Sequence, residues 1–225
     1  MFNYDWNWSI FLPHWKALLL GVWITIKLSA LAALLGTIAG LIGAVALRRI
    51  RYRTLRGALF LANDAMRAIP VILLLFVAYY FPYKSVGIDP LSPFGASLLA
   101  LALSQAAFSL DLYYWAFERI NSRTIEAAES LGITRQTTFW CFTLPDIMRQ
   151  TAPAMTAFVI GLVKLSSFAS VIGCPDLVYV AGTIGASQHR SIEPWILAAC
   201  VYIVVVTPAA ILGRHWENSP WMRRR

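Results

Sequence analysis

Five apolar blocks, each long enough to cross a bilayer, constrain this chain more than any other feature. They cover residues 16–47, 57–81, 95–117, 147–172 and 194–212. A membrane-spanning helix needs about 20 apolar residues, so five spans take roughly half of the 225 residues. No comparable stretch remains for a soluble catalytic domain. The composition agrees: 59% of residues are hydrophobic and 13% charged, against about 45–50% and 25% in soluble domains. Disordered, collagen-like and disulfide-stapled classes are excluded, and an ordinary soluble enzyme does not fit. The expected fold is all-α: one integral membrane domain over residues 1–225 with five transmembrane helices.

Charge placement sets an expected orientation. The net charge is +8, but the arginines cluster between apolar blocks rather than along one face, so nucleic acid is not an expected partner. Arg48, Arg49, Arg51, Arg53 and Arg56 separate blocks one and two. Arg119, Arg123, Arg135 and Arg149 lie between or at the edges of blocks three and four. Arg214, Arg223, Arg224 and Arg225 follow block five. These are 13 of the 19 basic residues, against Lys16, Lys84 and Arg190 on the other side. The positive-inside rule makes the arginine-rich side cytoplasmic. The N-terminus is then periplasmic and the C-terminus cytoplasmic, as an odd number of spans requires. Trp6, Trp8, Trp15, Trp195, Trp216 and Trp221 mark the interfaces. The first fifteen residues hold Asp5 and no Lys or Arg, so no signal peptide is expected. Cys141, Cys174 and Cys200 are far apart, which suits isolated core thiols and no metal site.

The longest connection, residues 118–146, lies on the arginine-rich side, and connections of this length usually have a task. Its pattern predicts two short helices joined at Gly132. Thr124 or Ser122 caps the first. Gly132 takes the left-handed position at its C-terminus. Thr134 caps the second, which Pro145 ends. Two readings follow: a compact knob facing the cytoplasm, or an amphipathic helix lying on lipid.

Within this connection Glu126, Ala127, Ala128, Gly132, Leu144 and Pro145, with Phe142 in the aliphatic place, resemble the coupling-loop signature of bacterial ABC importer permeases. Residues 20–29, beginning Leu20, Gly21, Val22 and Trp23, resemble the first-span start of the polar amino-acid and opine branch. Arg67, Ala68, Ile69 and Pro70 resemble its Arg-Gly-Thr-Pro segment. Lys164, Leu165, Ser166, Ser167 and Phe168 resemble its Lys-Asp-Ser/Thr-Ser-Leu segment. The resemblance implies the ABC importer permease fold in a bacterial inner membrane. It also implies two cytoplasmic ATPase subunits docked on residues 126–145, a second permease subunit, and a periplasmic substrate-binding protein. ATP and Mg would be bound in the partner subunits, and no cofactor by this chain, which lacks a GxxxxGK[ST] phosphate loop. The implied function is ATP-driven import of amino acids or related small polar solutes. The alternative is a secondary transporter or channel subunit that ignores ATP.

Polar residues inside spans are costly and mark functional candidates. Asp64, Arg67, Pro70, Asp111, Lys164 and Ser166 are the candidate substrate path. Asp64 lies three residues before Arg67 and can pair with it, while Pro70 breaks the helix just beyond. The pair suits a polar ligand site or a structural lock between helices. Lys164 suits a substrate carboxylate or a pair with Asp176. Lys27 needs a partner, for which Asp111 and Gln105 are candidates. Gly36, Gly40 and Gly43 give block one a smooth stripe that suits close helix approach or general packing. The chain lacks the branch's Gly-Thr beside Arg67, the acid after Lys164, and the Arg-Gly of the third span, where Asp111, Leu112, Tyr113, Tyr114 and Trp115 stand. Those losses point to a heterodimer with a sister permease rather than self-pairing. An intramembrane enzyme is not expected: His14, His189 and His215 lie at the block edges, and no catalytic or metal-binding set can be assembled.

Overall fold

In the computed structural model, residues 4–120, 126–128 and 130–217 are described. They are helical, with no strand among the described residues. A 3₁₀ segment, Trp8–His14, opens the fold with Asn7 accepting from the Ser9 N–H. It feeds α1, Trp15–Arg49. Two consecutive helices, α2 (Arg53–Ala68) and α3 (Val71–Tyr80), follow. The next long helix is α4, Pro93–Glu118, capped by Ser92. A single turn, Arg135–Thr138, and a π-helical turn, Phe139–Thr143, lead into α5, Leu144–Leu165. The 3₁₀ segment Ser166–Ile172 extends it. The chain ends with α6, Leu177–Ser187, and α7, Glu193–Glu217.

Among the described residues, four helical runs are long and apolar enough to cross a membrane: Trp8–Arg49, Pro93–Glu118, Arg135–Ile172 and Glu193–Gly213. The second expected span is not a single rod. It divides into α2 and α3, which meet at 96° and count as a fifth crossing only as a broken pair. The cause is Pro70. It has no N–H to continue the helix and forces the residue before it out of the helical region. Ile69 accordingly sits at φ −75°, ψ 123°. Pro70 Cα begins the new turn, and its carbonyl accepts from the Leu73 and Leu74 N–H groups at 2.9 and 3.3 Å. α2 has no buried residue, because Arg53, Arg56, Asn63, Asp64 and Arg67 share it with its apolar side chains.

The connection from Cys174 to Glu193 contains the apolar helix α6. One further expectation needs correction. Pro145 does not end the helix before it. It lies in the first turn of α5, where proline's missing donor removes no hydrogen bond. The expected caps Ser122 and Thr124, with Arg123, Glu129, Trp221 and Arg223–Arg225, lie outside the described residues.

The core is organised on the seam between α1 and α4. A Cβ on Gly36 would stand 2.5 Å from Gln105 Cβ and 2.7 Å from the Ala102 carbonyl oxygen. One on Gly40 would stand 2.5 Å from Ser109 Cβ, and one on Gly43 2.8 Å from Leu110 Cδ1. The glycine stripe therefore has a specific partner, and the backbones approach as only small residues allow. Towards one end of the seam, Leu28, Ala32, Leu101, Leu162, Ala169 and Cys174 form a buried cluster. Towards the arginine-rich end, Ala44, Leu47, Tyr113, Tyr114, Phe117 and Ile147 form another. Of the cysteines only Cys174 is buried; Cys141 and Cys200 are exposed, contrary to the core-thiol expectation.

Gly36→Ala is expected to lower stability by about 1–3 kcal/mol through overpacking. Gly161→Ala, where an added Cβ meets nothing within 4 Å, should leave it unlowered. Thermal unfolding of the detergent-solubilised protein checks the pair.

Candidate functional site

The bend after α2 leaves one face of that helix against α4, and the charged residues meet there. The Asn63 side-chain amide donates to the Ala107 carbonyl at 3.2 Å. Phe60 meets Tyr114 edge-on, with centroids 4.5 Å apart. Between these contacts and the bend, Arg67 Nη1 lies 3.0 Å from Asp111 Oδ2 and 3.4 Å from Asp64 Oδ1. Its guanidinium stands over the Phe108 ring, 5.1 Å from the centroid. Asp111 also accepts from the Trp115 indole N–H at 3.1 Å. The Asp64–Arg67 spacing is thus confirmed as a pair, and Asp111 joins it from the next span.

This arrangement weighs on the two readings of Arg67. A guanidinium held by two carboxylates and an aromatic face is neutralised from within the chain. Three groups carry a formal charge of one positive and two negative, with Asp64 the most exposed member at 60% of its side chain. The interhelical contact is that of a lock between α2 and α4. Pro70 stands at the bend itself, three residues beyond Arg67.

Other sequence candidates are not brought to this cluster. Lys27 does not meet Asp111 or Gln105: its ammonium stands over the Phe94 ring, 5.4 Å from the centroid. Gln105 instead donates to Ser109 Oγ at 3.2 Å inside the α1–α4 seam. Lys164 is exposed and does not pair with Asp176, whose Oδ2 is buried without a hydrogen-bond partner. Ser166 is fully buried and donates to the Val163 carbonyl at 2.7 Å. A separate cavity of about 320 Å³ is lined by Thr37 of α1, Tyr113 of α4, Thr151, Met155 and Thr156 of α5, and Ala209 of α7. None of the sequence-chosen path residues lines it.

Sequence reasoning missed Glu193, which is fully buried. Its carboxylate accepts from the Tyr4 hydroxyl and, at 3.2 Å, from the Asn7 N–H. Arg190 lies 3.6 Å away and also donates to the Asp5 carbonyl. This clasp ties the chain start to the α6–α7 turn. Its partners are more than 180 residues apart, so no local pattern could signal it.

The connection before α5 forms the expected elbow. Residues 126–128 and 130 are helical. The Leu131 N–H donates to the Ala127 carbonyl at 3.1 Å, and the Ile133 N–H to the Ala128 carbonyl at 3.0 Å. Between them Gly132 takes φ +75°, the left-handed C-terminal position that glycine adopts without penalty. Thr134 then caps the next turn, accepting from the Thr137 N–H at 3.3 Å. Ala128, Thr138 and Thr143 are buried, and Phe139 stacks on Phe117 with centroids 6.2 Å apart. Arg48 covers the other partner, its guanidinium 4.8 Å from the Phe117 centroid. The elbow is therefore anchored on α1 and α4. Its outer surface carries Leu131 at 79% exposure and Trp140 at 59%, with Phe142 also exposed. Glu126, Ala127 and Gly132 are exposed beside them, while Leu144 and Pro145 are half-buried at the α5 start.

Four long apolar helices, one bent helix pair and an anchored elbow, among the described residues, match a known family. The description "binding-protein-dependent transport system inner membrane component" covers residues 14–220. The chain belongs to that family. A probable amino-acid ABC transporter permease, YckA of Bacillus subtilis (strain 168), is 28% identical over 218 residues, spanning 96% of this chain and 95% of the relative. The octopine transport system permease OccM of Rhizobium meliloti is 28% identical over 221 residues, spanning 93% and 88%. Among solved structures, an amino acid ABC transporter crystallised with histidines superimposes with a TM-score of 0.81 at 24% identity. That likeness covers 95% of this chain and 99% of the other, and it shows a common fold. The transport-system component is accordingly a multi-pass membrane subunit.

For the Arg67 lock, removing the cation strands two carboxylates near one another. Arg67→Met is expected to destabilise the permease by about 1–3 kcal/mol, below the range for breaking a fully buried pair, because Arg67 and Asp111 keep 31% and 24% of their side chains exposed. Arg67→Met combined with Asp111→Asn should recover part of that loss. A thermal double-mutant cycle measures the coupling.

Proposed function

We propose that this permease subunit imports amino acids or related small polar solutes with energy from separate ATPase subunits. The observation that carries the proposal is the elbow at residues 126–145. Its backbone is fixed by two caps and an aromatic stack, yet it turns Leu131, Trp140 and Phe142 outward. An exposed apolar patch on a rigid mount suits a protein partner. A helix lying on lipid would instead need one continuous apolar face, and the left-handed turn at Gly132 interrupts that face.

In this reading the arginine-rich end faces the cytoplasm, since positive residues are retained on that side. The N-terminus, the Glu193 clasp and α6 are periplasmic, and the C-terminus is cytoplasmic. Two cytoplasmic ATPase subunits receive the elbows of two permease subunits and bind ATP and Mg. A periplasmic binding protein delivers solute to the α6 side. The relatives named for amino-acid and octopine transport support this cargo class. The membrane is the bacterial inner membrane, as the family description implies.

The polar face of α2, with Asp64 exposed beside Pro70, lines the route in this proposal. Arg67 acts mainly as the lock that holds α2 on α4. Because Asp64 and Asp111 already neutralise it, an entering carboxylate finds Arg67 shielded. Lys164 and Ser166 stand apart from that face. The altered groups at Ala68, Ile69 and Leu165 fit a subunit that contacts cargo little and pairs with a sister permease. A transporter driven by an ion gradient is the second reading. It gives the anchored elbow no role.

Gly132→Val forces a β-branched residue into the left-handed region, at about 1–3 kcal/mol of local strain. ATP-driven uptake into reconstituted vesicles should fall several-fold, with ATPase co-purification reduced and membrane insertion unchanged. Unaltered ATP-driven uptake would contradict the role of the elbow.

A further inference from the structure

One buried acid outside the α2 cluster has no counter-charge. Asp176 is fully buried and caps α6, its Oδ1 accepting from the Tyr179 N–H at 2.8 Å. Its Oδ2 is buried with no hydrogen-bond partner. The hydroxyl of Tyr202, on α7, is likewise buried and unpartnered. No ion pair joins Asp176 to a Lys or Arg among the described residues.

The surroundings hold this acid in place. On α1, a Cβ at Gly21 would stand 3.1 Å from the Asp176 carbonyl oxygen and from Leu177 Cα. Four residues on, Thr25 Oγ1 accepts from the Leu177 N–H at 3.1 Å. Two titratable groups face the carboxyl: Cys174, fully buried one proline away, and Tyr202. Both are neutral near pH 7. Ser97 of α4 faces Cys174, and Ser166 and Ser167 face Tyr202. So α1, α7 and the chain before α6 pack around Asp176 with a thiol, a phenol and apolar groups, and no cation is paired with the carboxyl among the described residues.

Resting on the reading that α6 lies on the periplasmic side, we propose that Asp176 is a proton-binding site of an outer gate, protonated while α6 is seated and ionised when α6 lifts. The ligand is a proton: the seated carboxyl takes one from periplasmic water, and the lifted carboxylate returns it. A buried carboxylate with no cation is among the costliest groups to seat, whereas the neutral acid carries no charge to desolvate. Burial pushes the Asp176 carboxyl up to about 7, against the two backbone hydrogen bonds that lower it.

The sign follows from linkage. The seated state holds the proton up to about pH 7, and a solvated carboxyl loses it near 4. The seated state's advantage is complete below about pH 4, declines as pH rises, and is lost above about 7. Lifting is therefore favoured by up to about tenfold per pH unit between those limits.

Cys174 reports seating directly. In the assembled complex with Cys141→Ala and Cys200→Ala, labelling of Cys174 by a thiol reagent measures how often α6 lifts. The rate is divided at each pH by that of the same complex carrying Asp176→Asn, which keeps the cap and cannot ionise. Division removes the thiol's own titration except for the rise that an ionised Asp176 causes, which lowers the ratio at high pH and so opposes the expected increase. The ratio should rise at least about tenfold between pH 5 and 7 and level off above 7. A ratio constant with pH overturns the proposal, as does one that follows sodium concentration at fixed pH. Should Asp176→Asn not assemble, Asp176→Ser supplies the same non-ionising cap. ATP-driven uptake measured on the same complexes is a separate arm. If uptake needs ATP while the ratio is flat, the transport reading stands and the proton site falls. If wild-type uptake ignores ATP, the transport reading falls whatever the ratio does.

Discussion

The approach of α1 to α4 is the contact on which the rest of the subunit depends. Three glycines let the two backbones close where any side chain would collide with Gln105, Ser109 or Leu110. Lipid supplies no hydrophobic drive between helices, so close van der Waals packing has to hold them. That seam supports structure at both ends. At the arginine-rich end, Arg48 and Phe117 form the platform for Phe139 and thus for the elbow. At the other end, Gly21 and Thr25 of α1 seat the start of α6. One rigid pair therefore carries the elbow on one side and α6 on the other.

Around that frame, the irregular elements are where polar chemistry gathers. Pro70 turns the chain by 96° and leaves α2 with a charged face that a lipid-facing span could not tolerate. Asp111 and Phe108 then hold Arg67 against α4. The 3₁₀ segment after α5 ends at Gly173 with φ +80°, letting the chain turn back through Pro175 into the cap at Asp176. A straight five-rod bundle would have had neither the α2 face nor the α6 seat.

What the sequence made legible follows from the range of each signal. Block length and hydropathy are local, and they located every long apolar helix to within a few residues at most ends. Cap chemistry is local too, so Gly132 and Thr134 were read correctly. Proline at position 145 was misread because the same residue either stops a helix or starts one, and only the π-helical turn before it decides. The break at Pro70 was read from the sequence, but its 96° angle was not; α6, with 11 residues, is too short to register as a span. The Asp64–Arg67 spacing was visible; the third member, Asp111, needed the packing of α2 on α4. Glu193 and Asp176 were illegible as functional groups, since burial and missing partners are properties of the folded state.

The central claim is that an elbow built on the α1–α4 frame faces the cytoplasm and receives the ATPase. Cys141, exposed on the elbow, tests it without an added reporter. With Cys174→Ala and Cys200→Ala, a membrane-impermeant thiol reagent is applied to sealed vesicles of both orientations. The account predicts labelling of Cys141 in inside-out vesicles and protection when the ATPase subunit is bound. Labelling from the periplasmic face instead would contradict it.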